Sequence, residues 1–275
     1  MLHALLDSTP VWLVYILFAL IPAAIAVVAH DWFRRIVRPE DLIPHHEVAG
    51  FLVAVVGVLF AVVLAFLVAE AWGTFDSAQS TADGEAGEVA ETFASAAVLP
   101  EPTRSTVKHL LADYAFEVRD VEFPMLVRRD QDMRARRELV DAFAAVTALE
   151  APQNAPVAVA LQESTRQQLV LTNLHGLSEK RRQRLLDAAR QIPADLYLAL
   201  GIAWLILTAF VFLFGCARAL QLTMTGLITA IVGLLFAVVV EFDMPYSHGI
   251  RVSTEAWSLV IENNHLADYR DRVAH

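Results

Sequence analysis

Four long stretches of this chain are apolar and free of charged residues, and they constrain its fold more than any other feature. They cover residues 11–29, 48–69, 196–215 and 222–240. Each approaches the roughly 20 residues that an α-helix needs to cross the hydrocarbon core of a bilayer. One such stretch could be a buried helix of a soluble protein, but four together indicate that lipid is the solvent. The sequence therefore predicts an all-α integral membrane protein with four transmembrane helices.

Composition and charge support this fold class and exclude others. Of 275 residues, 56% are hydrophobic and only 19% are charged. A cleaved signal peptide is a poor interpretation of the first stretch, because residues 1–10 contain no Lys or Arg. The net charge of -10 argues against nucleic acid as a partner, since nucleic-acid binding needs a basic surface.

The distribution of basic residues predicts an orientation in the membrane. Arg34, Arg35 and Arg38 follow the first stretch closely, which places the short connections in the cytoplasm under the positive-inside rule. The long segment between the second and third helices then lies on the outer side. A second basic group, between Lys180 and Arg190, precedes the third helix and favours the opposite orientation.

The long middle segment is predicted to be a helical extramembrane bundle that continues the second helix. Apolar residues recur there at steps of three and four, which is typical of amphipathic helices. Pro124 is expected to end or break one helix, Gly176 to end another, and Ser178 to begin a basic segment. The domain boundaries follow as 1–69 for the first helix pair, 70–195 for the bundle, 196–240 for the second pair, and 241–275 for a C-terminal segment with a short helix.

The second stretch carries a row of small residues in steps of four. The row consists of Gly57, Ala61, Ala65, Ala69 and Gly73. Such a row lets two helix backbones approach closely within a bilayer. The partner helix is expected to come either from the same chain or from another subunit. Because residues 45–99 contain no proline, the second helix is predicted to run unbroken until near Leu99–Pro100.

An apolar face lies opposite this row, and acids follow it. The face is formed by Phe51, Val55, Val58, Val62 and Phe66. It could line a hydrophobic constriction in a pore, or it could face lipid or a protein core.

Between Pro39 and Thr103 there are ten acids and no Lys or Arg. In a symmetric oligomer Glu70 and Asp76 would form acidic rings that concentrate cations, and Glu241 and Asp243 after the fourth apolar stretch would add to that field. The alternative is a solvated acidic surface. The basic faces around residues 128–137 and 180–190 are available to pair with these acids.

Residues typical of catalysis or metal binding are not arranged in any recognisable pattern. The sequence contains no phosphate-binding loop, dinucleotide fingerprint or serine elbow, and His46–Glu47 lacks a second histidine four residues later. His45, His46 and Glu47 are interpreted as interfacial anchors, with a metal or pH-sensing site as the alternative. Cys216 is a lone thiol, and the set Glu241, Asp243 and His248 fits no known ligand spacing. We therefore predict a protein that is not an enzyme and has no cofactor or metal.

Several short motifs resemble the bestrophin-like domain family of bacterial membrane proteins. They are HEVAGF at residues 46–51, AVVGV at 54–58, Ala65–Phe66, Trp72, and FDMPYSHG at 242–249. The resemblance implies an oligomeric ion channel whose second helix lines the pore through an aromatic neck, with Phe51 or Phe66 as neck residues. We also predict a multi-pass protein of the bacterial inner membrane. The chain departs from bestrophins, whose middle segment is cytoplasmic and whose channels prefer anions, because its charges predict an outer, acidic segment.

Two functional hypotheses follow. The first is a homo-oligomeric channel for inorganic ions in the bacterial inner membrane, with the apolar face as constriction and the acids at the outer mouth. The second is a membrane sensor or scaffold without a pore, which binds a partner through the helical domain.

Overall fold

A computed structural model describes residues 10–37, 46–126, 130, 132–150, 156–214, 217–246 and 249–270. Predictions that concern His45, Arg128, Cys216 and His248, and the side chain of His46, lie outside these residues.

The described residues form ten α-helices. They are α1 (Val11–Ile36), α2 (His46–Ser95), α3 (Thr103–Glu117), α4 (Phe123–Leu126), α5 (Met133–Thr147), α6 (Val157–Ala189), α7 (Ala194–Val211), α8 (Arg218–Phe242), α9 (Glu255–Asn263) and α10 (Ala267–Arg270). Among the described residues, four helical segments are long and apolar enough to cross a membrane. Three of them contain a whole predicted stretch, and the fourth, which ends at Val211, contains most of the stretch 196–215. The prediction of four transmembrane helices is confirmed.

The chain divides into two compact units. The membrane unit comprises Met1–Phe75 and Gln191–Ile250, and the helical unit comprises Asp76–Arg190 and Arg251–His275. Helix α2 is 50 residues long and contributes residues to both units. The prediction of an unbroken second helix that ends shortly before Pro100 is confirmed, since only the short 3-10 turn Ala96–Val98 separates its end from Leu99.

Within the membrane unit, α1 and α8 pack with their backbones in close approach. A Cβ added at Gly233 of α8 would lie 2.0 Å from the carbonyl oxygen of Phe18 in α1. The buried face of α1 is likewise made of small residues, including Ala19, Ala23 and Ala26. Small residues suit this contact because helices in lipid associate through van der Waals packing, without a hydrophobic force between them.

Polar side chains link the same two helices near the end of α1. His30 is fully buried, and its Nδ1 lies 2.6 Å from Oγ1 of Thr225. One turn further, Arg34 donates a hydrogen bond to Gln221. His30 directly follows the first uncharged stretch, so the sequence suggests a position at the membrane boundary. In the structure α1 continues to Ile36, and His30 is buried against α8.

The remaining membrane helices, α2 and α7, share a core with α8. The buried members of this core are Phe60, Leu64, Leu67, Ala71, Ile192, Leu200, Leu207, Val232 and Val239. The four from α2 are spaced by three and four residues, which places them along one narrow face of the helix.

The helical unit is built around the second half of α2. Its inward face consists mainly of small side chains with no exposed surface, among them Ala78, Ala82, Ala86 and Val89. Trp257 of α9 is also fully buried, with its ring 6.2 Å from that of Tyr114 and 6.3 Å from that of Phe123. A bundle core formed by amphipathic helices explains the apolar periodicity of the middle segment.

The predicted break at Gly176 and Ser178 is wrong, because α6 runs through both residues without interruption. Gly176 serves a different purpose: a Cβ there would lie 2.8 Å from Oε2 of Glu88. The glycine leaves room for the carboxylate of Glu88 from α2 and does not end the helix. Pro124 does interrupt regular α-helix, but the chain stays helical through the π turn Val118–Glu122 that leads into α4.

We expect Gly233→Ala to destabilise the membrane unit, because the new Cβ would overlap the backbone of α1 and the two helices would have to separate. Overpacking of this kind costs about 1–3 kcal/mol. Gly201→Ala in α7 is the matched control, since its Cβ would meet no atom within 4 Å. Thermal unfolding of the full chain in detergent should show a lower midpoint for Gly233→Ala alone. Equal midpoints for both variants would contradict the close packing.

Candidate functional site

The first half of α2 turns one face toward the core of its own chain and the opposite face away from it. At about 100° per residue, the positions predicted to line a pore lie roughly half a turn from Phe60, Leu64 and Leu67. Their exposed fractions are 69% for Phe51, 43% for Val55, 64% for Val58, 49% for Val62 and 75% for Phe66. A large apolar face is thus left for lipid or for another copy of the chain.

The row of small residues on α2 is also largely uncovered. Gly57 is partly buried near Leu207, whereas Ala61, Ala65 and Ala69 are exposed. A Cβ added at Gly73 would meet no described atom within 4 Å. Among the described residues, the row therefore packs against a helix of its own chain near Gly57, and its other members are exposed.

The acidic side chains predicted to form a mouth fall into two groups. Glu70 and Asp76 of α2 are both exposed. Glu241, in the last turn of α8, and Asp243, directly after it, were expected to add to the same field, but each is only 5% exposed. The expectation for Glu241 and Asp243 is wrong, because both carboxylates are buried and accept hydrogen bonds within the membrane unit.

The buried carboxylate of Asp243 fixes the start of α7. Its Oδ1 accepts a hydrogen bond of 2.7 Å from the backbone N–H of Ile192, and its Oδ2 accepts one of 3.0 Å from the hydroxyl of Tyr197. Glu241 accepts a hydrogen bond of 3.3 Å from the backbone N–H of Ile250. The acids at the end of α8 thus have a structural role, which explains why the chain retains two carboxylates at buried positions.

A buried ion network holds the helical unit together. Arg184 of α6 pairs with Glu85 of α2 and, at 2.5 Å, with Glu122 of the π turn. Arg181 binds the same Glu122 through two hydrogen bonds of 2.6 Å each. The hydroxyl of Tyr114 donates to Glu85, and burial followed by the nearby carboxylate raises the pKa of Tyr114 well above its usual value.

This network confirms one expectation and extends it. The basic segment after residue 180 does pair with the acidic stretch, through Arg184 and Glu85. The periodicity did not indicate that Glu122 would join them or that all these side chains would be buried. Two arginines and two glutamates leave the network without net charge, as a buried ionic cluster requires.

A second cluster of carboxylates, in α3 and α5, differs because it is not neutralised to the same extent. Burial raises the pKa of Glu138 to about 7, and the carboxylates of Asp113, Glu117 and Asp132 add to the effect. The charge of Glu138 therefore changes near neutral pH. Among the residues that the structure describes, no group of three or more His, Cys, Asp or Glu side chains could hold a metal ion.

The geometry defines an all-α membrane protein with four transmembrane helices and a separate helical unit, and sequence comparison gives its family. The profile of the Bestrophin-like domain matches residues 16–257. The chain belongs to the Bestrophin-like domain family.

Solved structures of bacterial bestrophin homologues have a similar fold. One from Klebsiella pneumoniae has a TM-score of 0.57 at 15% identity, covering 94% of this chain and 97% of that chain. A variant of a Klebsiella pneumoniae homologue with one mutation has a TM-score of 0.57 at 16% identity, covering 95% and 99%. At such identities the similarity concerns the fold. A comparison with curated proteins gives no match.

We expect Arg184→Ala to destabilise the protein strongly, because it leaves Glu85 and Glu122 buried without their shared cation. Removing one partner of a buried ion pair costs about 3–5 kcal/mol. Arg182→Ala is the matched control, since Arg182 and Glu179 form a pair whose side chains are 61% and 56% exposed. Urea unfolding of the full chain, followed by circular dichroism, should show a large shift for Arg184→Ala and little change for Arg182→Ala. Similar curves for the two variants would contradict the assigned role of the network.

Proposed function

We propose that this protein assembles into a homo-oligomeric ion channel in the bacterial inner membrane, with α2 of each copy lining the pore. The observation that carries the proposal is the apolar face of α2, which is exposed in one chain and lies opposite the chain's own core. Membership of the Bestrophin-like domain family supports it, as do the bestrophin homologues of similar fold.

The constriction of this channel is formed by apolar side chains of α2. Phe51 and Phe66 are the largest and most exposed residues of the face, at 69% and 75%. Around a symmetry axis, rings of such side chains exclude water and ions when the pore is narrow. A row in steps of four turns by about 40° per step, so the uncovered Ala61, Ala65 and Ala69 lie beside the apolar face rather than opposite it. There they allow neighbouring copies of α2 to approach closely.

Glu70 and Asp76 give the channel an acidic mouth. Both are exposed, and copies arranged around an axis would form acidic rings that raise the local concentration of cations. With the short connections in the cytoplasm, as the arginines after α1 indicate, the mouth and the helical unit lie on the outer side of the membrane.

A sensor or scaffold without a pore is the second candidate, and one surface of the helical unit favours it. Val157 and Leu161, one turn apart at the start of α6, are 85% and 66% exposed. Apolar side chains exposed in this way are typical of a surface that binds another protein. Such a protein would not conduct ions when purified.

We expect the purified protein to conduct ions in planar bilayers, and Phe66→Ala to increase its single-channel conductance because truncation widens the apolar ring. Leu205→Ala is the matched control: Leu205 is 71% exposed, but it lies on α7.

We further expect Glu70→Lys to shift the reversal potential in a salt gradient away from cation selectivity. Glu150→Lys changes net charge equally at an exposed site away from α2, and should leave the reversal potential unchanged.

Absence of current across voltage, pH and calcium concentration would contradict the channel proposal and favour the scaffold. Current that responds equally to Phe66→Ala and Leu205→Ala would leave a channel but contradict the pore along α2.

A further inference from the structure

A cluster of charged side chains lies where α1 ends beside the first turn of α8. Its described members are Asp31, Arg34 and Arg35 of α1 and Arg218 of α8. Arg34 is directed at α8, where it donates a hydrogen bond to Gln221. Three guanidinium groups thus accompany a single carboxylate, so the cluster is positively charged.

The carboxylate of Asp31 holds two of these guanidinium groups side by side. Its Oδ2 accepts a hydrogen bond of 3.0 Å from Nη2 of Arg35, and its Oδ1 accepts one of 2.8 Å from Nε of Arg218. The side chain of Asp31 is only 19% exposed, whereas those of Arg35 and Arg218 are 74% and 65% exposed. A guanidinium group has five N–H donors, and its planar fork matches the oxygens of a phosphate. Asp31 therefore positions a pair of arginines that is open to a phosphate group.

An apolar groove on α1 leads to this pair of arginines. It is lined by Ala24, Ile25, Val28, Ala29 and Trp32. Arg35 follows Val28 by seven residues and Trp32 by three, so it continues the same face of the helix. Trp32 is 65% exposed, and tryptophan is typical of the level of the lipid headgroups. The groove therefore runs from the apolar part of α1 to a charged end at the membrane surface.

The apolar end of the groove continues into a pocket of about 340 Å³ between α1, α7 and α8. Ile25 and Ala29 line both the groove and the pocket. None of the described residues that line the pocket is charged. Groove and pocket together thus offer a hydrocarbon chain a continuous apolar surface.

We propose that the groove binds an acyl chain of an anionic phospholipid, whose phosphate is bound by Arg35 and Arg218. An anion without a hydrocarbon chain would leave the groove empty, and an uncharged lipid would not use the arginines. Basic sites between transmembrane helices bind anionic headgroups through the same charge complementarity. The site involves α1 and α8, so it depends neither on a pore along α2 nor on the orientation of the chain.

The test measures which phospholipid contacts Trp32 in the full chain, reconstituted in bilayers. Bromine atoms on an acyl chain quench tryptophan fluorescence at short range, and Trp32 lines the groove. Brominated phosphatidylglycerol, which is anionic, is compared with brominated phosphatidylcholine, which is zwitterionic and carries the same chains. The signal of Trp32 is the difference between each protein and its Trp32→Phe derivative. We expect phosphatidylglycerol to bind about fivefold more tightly, the effect of one net positive charge near an anionic headgroup.

Two variants remove the arginines one at a time. Arg35→Gln and Arg218→Gln each keep a side chain that can donate a hydrogen bond to Asp31. Each should lower the preference for phosphatidylglycerol about fivefold, which makes the two lipids nearly equal. Quenching by brominated phosphatidylcholine should stay unchanged, because the groove itself is intact. Arg182→Gln is the matched control and should keep the preference, since Arg182 also pairs with one carboxylate and is 61% exposed but lies in the helical unit.

A soluble phosphate distinguishes a lipid site from a site for phosphate alone. Glycerol phosphate has the phosphate of the headgroup without acyl chains. At a concentration equal to that of the brominated phosphatidylglycerol, it should leave the quenching of Trp32 unchanged, because it cannot occupy the groove.

Four results would overturn the proposal. The first is equal binding of the two lipids to the parent protein. The second is an unchanged preference in both Arg35→Gln and Arg218→Gln. The third is displacement of phosphatidylglycerol by glycerol phosphate at equal concentration, which would indicate a site for phosphate alone. The fourth is the absence of Trp32 quenching by either lipid, which is the outcome if a second copy of the chain covers the groove.

Discussion

The rest of the structure depends on what surrounds the first half of α2, whose apolar surface must be kept from water. Within its own chain the first half of this helix buries only the narrow face that contains Phe60, Leu64, Leu67 and Ala71. Its remaining surface is apolar and must contact lipid or protein, since water cannot stabilise it. A helix satisfies its own backbone hydrogen bonds, so this surface can change from lipid to protein contacts without a polar penalty. Assembly around α2 is therefore possible without any rearrangement of the fold.

The two units are stabilised by different interactions because they have different solvents. In the membrane unit the helices approach through small residues, as at Gly233 and Phe18, because lipid provides no hydrophobic driving force between helices. In the helical unit, water drives burial of the apolar core, and a neutral set of ion pairs around Arg184 fixes how the helices meet. The intact network contributes little net stability, because burying its charges costs desolvation energy. Removing one member is nevertheless strongly destabilising, because its partner is left as an unpaired buried charge.

Features of the fold that depend on a single segment of the chain could be predicted from the sequence. Charge-free length was enough to identify the membrane helices, and a proline-free run was enough to predict the long α2. Interactions between distant segments could not be predicted. Gly176 has the sequence signature of a helix end, but α6 runs through it, and the carboxylate of Glu88 from another helix lies against it. Asp243 reads as a surface acid, yet it binds the chain at Ile192 and Tyr197.

The apolar face of α2 could be recognised from the spacing of its residues, whereas what covers this face depends on how copies of the chain assemble. Electron cryomicroscopy of the full chain in lipid nanodiscs, viewed along the symmetry axis, measures this most directly. We predict a closed ring of copies in which α2 lies nearest the axis and Val62 and Phe66 face the central path. A monomer, a dimer without a central path, or a ring with α2 at its periphery would contradict this arrangement.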